Sequence, residues 1–157
     1  MKYNKKKFIY LISPLKINSV FYNNLYEVLK SKKVSFFQLR LKKESFKKKL
    51  VIGKKVKKIC KKFNVKFLIN DDVLLTKKLN ADGCHLGQKD MNIFEARKMI
   101  GNKIIGITCH NSIRLSKIAT VNKANYIAIG AFNFSKTKKV KYNCLLYTSP
   151  SPRDGRE

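Results

Sequence analysis

Short apolar runs alternate along the chain with longer segments in which apolar residues recur every three or four positions. The short runs have the length and residue types of buried strands, and the longer segments have the spacing of amphipathic helices. The pattern predicts strands at 8–12, 36–41, 65–70, 83–87, 103–109 and 126–130, with a helical segment after each of the first five.

The ends of the helical segments are marked by capping and turn residues. The second segment is rich in lysine, and its pattern predicts a helix with a weak point, a turn around Gly53. Asp90 or Asn92 can cap the fourth helix, which Gly101 ends, and the fifth is expected from Ser112 to Val121.

Strict alternation of strands and helices predicts parallel strands and an α/β architecture. Polar residues end at least five different strands, as a barrel requires, whereas an open sheet concentrates its ligand site at one switch point. We therefore predict an incomplete (β/α)8 TIM-barrel fold with about six β/α units. The strand-end residues are Gln38, Arg40, Asn70, Asp71, His85, Gln88, Thr108 and Lys138.

Composition adds a strong positive charge, with 36 Lys and Arg against 9 Asp and Glu in 157 residues. The excess is almost all Lys, which favours compositional drift over a nucleic-acid interface, because direct base readout relies on Arg. A basic RNA-binding module stays open as a function of another class. A positive field would also attract small phosphorylated substrates.

The four cysteines form no C-x-x-C pair, which predicts reduced thiols and a cytoplasmic protein. The apolar stretch near the amino terminus, residues 8–12, is too short for a signal-peptide core or a membrane span. We expect no membrane association, and a homo-oligomer stays open.

Gln38, Arg40 and Lys42 lie two residues apart, which on a strand places all three on one face. Polar side chains inside an apolar barrel need an anionic, hydrogen-bonding ligand, because an unpaired buried guanidinium is costly. The alternative is an edge strand with one solvated face.

Asn70, Asp71 and Asp90 follow neighbouring strands and offer the oxygen ligands that Mg²⁺ prefers. With the cationic side chains expected on the same rim, they suggest a site for Mg²⁺ and a diphosphate. Asp71 and Asp72 can instead be ordinary acids of a helix amino terminus, an interpretation that we prefer for Asp72 only.

Ser135, Thr137 and Lys138 follow the sixth strand and could form a phosphate-binding loop. By itself this loop is also compatible with an ordinary solvated segment. The last residues, 144–157, have the composition of turns and disorder, and we interpret them as a non-native, adapter-derived tail after a domain at 1–143. A natural flexible tail is the alternative.

The motifs QLRLK, INDD, ADGCHLGQKD, GITCH and YIAIGAFNFSKTK resemble, in order and separation, those of thiamine-phosphate synthases. The resemblance implies a (β/α)8 barrel that joins 4-amino-2-methyl-5-pyrimidinylmethyl diphosphate to 4-methyl-5-(2-phosphoethyl)thiazole. The products are thiamine phosphate and diphosphate. The implied mechanism is dissociative: diphosphate leaves, a pyrimidine-methyl cation forms, and the thiazole nitrogen captures it.

The resemblance also implies residue roles. Asp71 and Asp90 would coordinate Mg²⁺, and Arg40 and Lys138 would be the catalytic residues that stabilise the leaving diphosphate. Thr108 stands where the family usually has Ser. The substrate-binding set implied is Gln38, Arg40, Lys42, Asn70, Thr108, Ser135, Thr137 and Lys138.

The chain departs from the family pattern at four positions and at its end. Strands seven and eight are missing from the sequence pattern, which makes an inactive fragment one of the expectations. A related thiazole tautomerase, with His110 as a candidate residue, is the nearest alternative, and His85 and His110 are assigned no role. The departures are Asp72, Ala131, Phe134 and Ser135.

Overall fold

The computed structural model describes residues 8–130, in which strands and helices alternate without exception. Each helix returns the chain to the same end of the sheet, so that every strand runs parallel to its neighbours. The elements are β1 (Ile9–Ile12), α1 (Ser19–Lys30), β2 (Val34–Leu39), α2 (Phe46–Lys62), β3 (Lys66–Asn70), α3 (Val73–Leu79), β4 (Gly83–Leu86), α4 (Ile93–Ile100), β5 (Ile104–His110), α5 (Ile113–Val121) and β6 (Tyr126–Ile129).

The six strands form one sheet in the order β1-β2-β3-β4-β5-β6. The sheet is curled into a half-barrel, and the phenol oxygens of Tyr10 in β1 and Tyr126 in β6 lie 2.8 Å apart across its inner face. The predicted barrel-type α/β fold is therefore confirmed, with six of the strands described.

The apolar core lies between the outer face of the sheet and the helices. One cluster joins β2 and β3 to α1, α2 and α3, with Phe37 and Phe67 almost fully buried at its centre. A second joins β4 and β5 to α4 and α5 around Leu86 and Ile105. Because the core occupies the outer face, the inner face is left for polar side chains.

The second strand begins and ends two residues earlier than the sequence predicts. It ends at Leu39, so that only Gln38 of the alternating trio lies in the strand, while Arg40 follows it and Lys42 lies in a turn. The prediction was wrong because Leu41 is buried, with 5% of its surface exposed, although it lies beyond the end of the strand. In the sequence, this buried apolar residue has the pattern of a strand residue.

Helix α2 is continuous through Gly53, which corrects the predicted turn. A β-carbon at Gly53 would overlap the side chain of Leu79 in α3, so the glycine permits close packing of two helices. The fourth helix is capped by Asn92, whose side chain accepts a hydrogen bond from the Glu95 amide, and not by Asp90.

Gly83 is expected to be the least replaceable glycine of the sheet. A β-carbon there would overlap the backbone carbonyl of Ile104 in β5, which cannot move without opening the ladder between β4 and β5. We expect Gly83→Ala to lower the free energy of unfolding by about 3 kcal/mol, measured by urea unfolding followed by circular dichroism.

Gly53→Ala is the matched control, since its β-carbon meets only the flexible end of Leu79 and alanine favours a helix by up to about 1 kcal/mol over glycine. Equal losses of stability in the two variants would contradict the close approach of β4 and β5.

Candidate active site

The carboxyl ends of β2 and β3 border an open cleft of about 380 Å³. Lys42, Asn70, Asp71 and Met91 line it together with the first residues of α3. The fold brings these residues together because parallel strands end at one edge, and the cleft lies at the edge where the sequence predicts the ligand site.

Asp71 follows β3 directly and adopts a left-handed backbone conformation with φ of 63°. Its amide donates a hydrogen bond of 2.8 Å to the carbonyl of His85 in β4, which fixes the turn against the neighbouring strand. Asp90 lies in the loop after β4, where its carboxylate accepts a hydrogen bond of 2.7 Å from the Gly87 amide.

The two carboxyl groups of Asp71 and Asp90 are neighbours. Burial raises the pKa of Asp90 above its ordinary value, and the carboxyl group of Asp71 raises it further. The Gly87 amide and the Lys42 ammonium act in the opposite direction on the same pKa. Two neighbouring carboxylates repel each other when both are ionised, so a cation between them would remove a cost that the protein otherwise bears.

Residues 8–130 contain no group of three or more His, Cys, Asp or Glu placed to hold a metal. A pair of carboxylates nevertheless fits Mg²⁺, which commonly takes one or two protein carboxylates and completes its octahedron with water and substrate phosphate. The donor set therefore suits a metal that arrives with, or is completed by, an anionic ligand.

Lysine side chains neutralise the acids of the cleft. The Lys42 ammonium lies 3.2 Å from the Asp71 carboxylate, and that of Lys49 lies 3.5 Å from Asp72. Asp72 caps α3 by accepting a hydrogen bond of 2.8 Å from the Leu75 amide. This confirms the helix-terminal interpretation of Asp72 and separates its role from that of Asp71.

Gln38 is 3% exposed and lies on the inner face of the half-barrel. Its amide oxygen accepts a hydrogen bond of 2.8 Å from the Tyr10 hydroxyl, and its amide nitrogen donates to the side-chain oxygen of Asn70. The structure thus joins two of the predicted substrate-binding residues, and it makes the Asn70 oxygen an acceptor for Gln38.

Arg40 lies at the same edge of the sheet, half-buried, with its amide donating to the Ser13 hydroxyl at 2.9 Å. Within the described part of the chain its guanidinium makes no hydrogen bond or ion pair. Thr108 lies in β5, with its hydroxyl 2.9 Å from Nε2 of His85 and its backbone carbonyl 2.5 Å from the Gln88 side-chain amide nitrogen.

Two residues of the inner face were missed in the sequence, Tyr10 and Tyr126. Nδ1 of His85 lies 3.0 Å from the Tyr126 hydroxyl, and the two rings stack with their centroids 5.6 Å apart. The available signal was that both tyrosines occupy strand positions of the inner face, where an apolar residue would have sufficed. His110 ends β5 with φ of 52° and is assigned no role.

The remaining predicted site residues, Ser135, Thr137 and Lys138, lie outside the described residues. So do Ala131, Phe134 and the proposed boundary at residue 143. Their roles stay predictions. Among residues 8–130, no helix is both long and apolar enough to cross a bilayer.

A curled parallel sheet with its polar side chains at the carboxyl ends of the strands defines a barrel-type α/β enzyme fold. The chain belongs to the thiamine monophosphate synthase family, whose model matches residues 9–146. The predicted resemblance is thereby confirmed, and the family's curated relatives are named as synthases, which are transferases.

A thiamine-phosphate synthase of Pelagibacter ubique is 66% identical over an alignment of 149 residues, which covers 93% of this chain and 72% of the relative. One of Erythrobacter litoralis is 39% identical, over 83% of this chain and 62% of its own length. The solved thiamine phosphate pyrophosphorylase of Pyrococcus furiosus superposes with a TM-score of 0.72 at 26% identity, covering 80% of this chain and 61% of that one. The chain therefore spans less than two thirds of the last two.

The pKa of Asp90 is higher in the folded protein than in the unfolded chain, where it is about 4. Ionisation of Asp90 therefore lowers the stability of the metal-free protein as pH rises from below about 4 through the folded-state pKa. Asp90→Asn removes this ionisation and keeps an oxygen that can accept from Gly87. We expect the variant to unfold at a higher temperature than the parent at pH 7 without divalent cations. The difference should shrink as pH falls below about 4.

Thermal unfolding followed by circular dichroism between pH 3 and pH 7 measures this difference. Asp72→Asn is the control, because asparagine also caps helices and no comparable gain is expected. A less stable Asp90→Asn protein at pH 7 would contradict the carboxylate pair.

Proposed function

We propose that the cleft binds a Mg²⁺-diphosphate unit and that the chain carries out the thiamine-phosphate synthase reaction. The substrates are 4-amino-2-methyl-5-pyrimidinylmethyl diphosphate and 4-methyl-5-(2-phosphoethyl)thiazole. The observation that carries the proposal is the carboxylate pair of Asp71 and Asp90 beside the Lys42 ammonium. The carboxylates suit a divalent metal ion and the ammonium suits a polyanion. The bound metal ion and polyanion would also neutralise part of each other's charge.

Asp71 and Asp90 would hold Mg²⁺, which supplies Lewis-acid stabilisation of the departing diphosphate. Lys42 and Arg40 lie at the same edge and would bind diphosphate oxygens as charge develops on them. The half-buried Arg40 guanidinium, which has no partner within residues 8–130, is suited to this because it keeps its hydrogen-bond donors for a ligand.

The chemistry requires no protein nucleophile. Departure of diphosphate leaves a pyrimidine-methyl cation, and the thiazole nitrogen forms the new carbon–nitrogen bond. Catalysis then consists of leaving-group stabilisation and of positioning the two rings. Lys138 is proposed as a second cation for the diphosphate, and Ser135 and Thr137 as ligands of the thiazole phosphate.

The proposed partners are therefore small phosphorylated molecules. A cytoplasmic location is proposed on the cysteine usage, and Cys60, Cys84 and Cys109 are buried single thiols. The tautomerase and an inactive fragment are outcomes of the experiments below. No specific contact within residues 8–130 favours either of them or the RNA-binding module.

The direct experiment measures diphosphate release by the purified chain with Mg²⁺ and both substrates. We expect release only when both substrates are present, and loss of release when Mg²⁺ is chelated. Asp90→Asn and Asp71→Asn should lower kcat by at least about 100-fold, because each removes a carboxylate that would hold the Mg²⁺ needed to stabilise the leaving diphosphate. Asp72→Asn is the matched control and should retain near-parental turnover.

Calorimetric binding of Mn²⁺ with inorganic diphosphate tests the site without requiring turnover. Binding that is lost in Asp90→Asn but kept in Asp72→Asn would support the site even if turnover is absent, and would identify an inactive fragment. Near-parental turnover or diphosphate binding in Asp71→Asn and Asp90→Asn would contradict the proposal. Isomerisation of a thiazole carboxylate without diphosphate release would favour the tautomerase.

A further inference from the structure

Each of the six strands contributes one side chain to a continuous series of hydrogen bonds on the inner face of the half-barrel. The series joins Thr108 to His85 at 2.9 Å, His85 to Tyr126 at 3.0 Å and Tyr126 to Tyr10 at 2.8 Å. From Tyr10 it continues to Gln38 at 2.8 Å and from Gln38 to Asn70. We refer to these six residues as the lumen chain.

The direction of each hydrogen bond follows from counting protons, beginning at Gln38. An amide oxygen can only accept, so the Tyr10 hydroxyl donates its single proton to Oε1 of Gln38. The Tyr10 oxygen must then accept from the Tyr126 hydroxyl. Burial raises the pKa of Tyr10 to about 12 and also raises that of Tyr126, so both phenols keep their protons at neutral pH.

The same count of protons determines which ring nitrogen of His85 carries the hydrogen. The proton of Tyr126 is directed at Tyr10, so its oxygen accepts from Nδ1 of His85, which must carry a hydrogen. A neutral imidazole has one N–H, and Nε2 of His85 therefore accepts from the Thr108 hydroxyl. At the other end, Nε2 of Gln38 donates to Oδ1 of Asn70, whose amide nitrogen is left to donate elsewhere.

We propose that the lumen chain has one fixed direction, from the Thr108 hydroxyl to the Asn70 amide, and that Tyr10 and Tyr126 are positioning residues that maintain it. The chain holds His85 as the Nδ1–H tautomer. It also leaves the Asn70 amide nitrogen as the donor at the strand end, so the substrate contact that the family resemblance implies for Asn70 would be made through its N–H groups. That substrate contact rests on the proposed function, whereas the direction of the chain does not.

Space for the chain is built into the backbone. A β-carbon at Gly106 in β5 would overlap the ring of Tyr126, so the glycine opens the room that this ring occupies. The stacking of Tyr126 on His85 and the packing of Tyr10 on Phe36, with centroids 5.8 Å apart, hold both phenols in place. The hydroxyl positions are therefore fixed by packing as well as by hydrogen bonds.

The opposite direction is chemically distinct. It requires the Gln38 amide to turn by half a rotation, so that its nitrogen donates to Tyr10, Tyr10 to Tyr126 and Tyr126 to Nδ1 of His85. The imidazole proton would then lie on Nε2. The tautomer of His85 thus reports the direction of the whole chain.

The test is a long-range proton–nitrogen NMR correlation of the imidazole rings in ¹⁵N-labelled full-length chain, at a pH where His85 is neutral. The sequence contains two histidines, and His110→Asn assigns their signals. We expect the proton on Nδ1 of His85. In Tyr126→Phe, Nδ1 loses the Tyr126 hydroxyl as an acceptor while the Thr108 hydroxyl stays beside Nε2, and we expect the proton to move towards Nε2.

Tyr26→Phe is the matched control, because that hydroxyl contacts only the Lys62 ammonium among its described hydrogen bonds, on the outer surface. It should leave the tautomer unchanged. An Nε2 proton in the parent, or an unchanged tautomer in Tyr126→Phe, would overturn the proposal. If Tyr126→Phe does not fold, Tyr10→Phe decides, since it removes the acceptor of the Tyr126 proton and should also deplete the Nδ1–H form.

The Asn70 end has its own measurement, calorimetric binding of inorganic diphosphate with Mn²⁺. Asn70→Asp replaces the donor by an acceptor, and we expect at least about a 10-fold weaker affinity, equivalent to about 1.4 kcal/mol. Unchanged affinity would overturn the donor role of Asn70. An Nδ1–H His85 in a protein that binds no diphosphate would instead contradict the proposed function and leave the direction of the lumen chain intact.

Discussion

The carboxyl groups of Asp71 and Asp90 are neighbours and repel each other when both are ionised, and the proposed function rests on this repulsion. Both lie at the carboxyl edge of a parallel sheet. The Asp90 carboxylate accepts a hydrogen bond from the Gly87 amide, and burial together with the nearby Asp71 carboxyl group raises the pKa of Asp90. A protein that only had to fold would gain by replacing one of them. We propose that a cation binds between them, and Lys42, 3.2 Å from Asp71, adds positive charge for an accompanying anion.

The fold can hold the Asp71–Asp90 pair because the two faces of the sheet provide different environments. The outer face of the sheet is filled by apolar side chains against the helices, as at Phe37 and Phe67. The inner face carries hydrogen-bonding side chains whose polar atoms are paired with one another, so their burial costs little. The lumen chain and the carboxylate pair meet at Asn70 and Asp71, where β3 ends, and the interior can thereby influence how a ligand is held at the rim.

Most of the fold could be predicted from the sequence because local signals agree with the tertiary structure. Five of the six strands begin and end within one residue of their predicted positions, since turn and capping residues border them. The second strand was misplaced because burial of Leu41 continues past its hydrogen-bonded end. The predicted turn at Gly53 was wrong because glycine is present there to make room for Leu79, 26 positions away. A contact over that distance leaves no signal in the local sequence pattern.

The residues of the candidate site also fall into those with a local signal in the sequence and those without one. Motifs and strand ends indicated that Gln38, Asn70, Asp71 and Asp90 lie near the carboxyl ends of the strands, and the structure places them there. No such signal pointed to Tyr10 and Tyr126. These tyrosines are 116 positions apart and meet only because the sheet curls. The Asn70 oxygen was considered as a metal ligand in the sequence, but in the structure it accepts from Gln38.

Binding of one divalent cation by Asp71 and Asp90, as we propose, can be observed through the paramagnetic broadening that Mn²⁺ causes in backbone amide NMR signals. With inorganic diphosphate present, we expect substoichiometric Mn²⁺ to broaden first the amides around residues 71 and 87–90. Broadening centred instead on Asp82, at the opposite end of the sheet, or spread evenly over all acidic residues, would contradict the proposal.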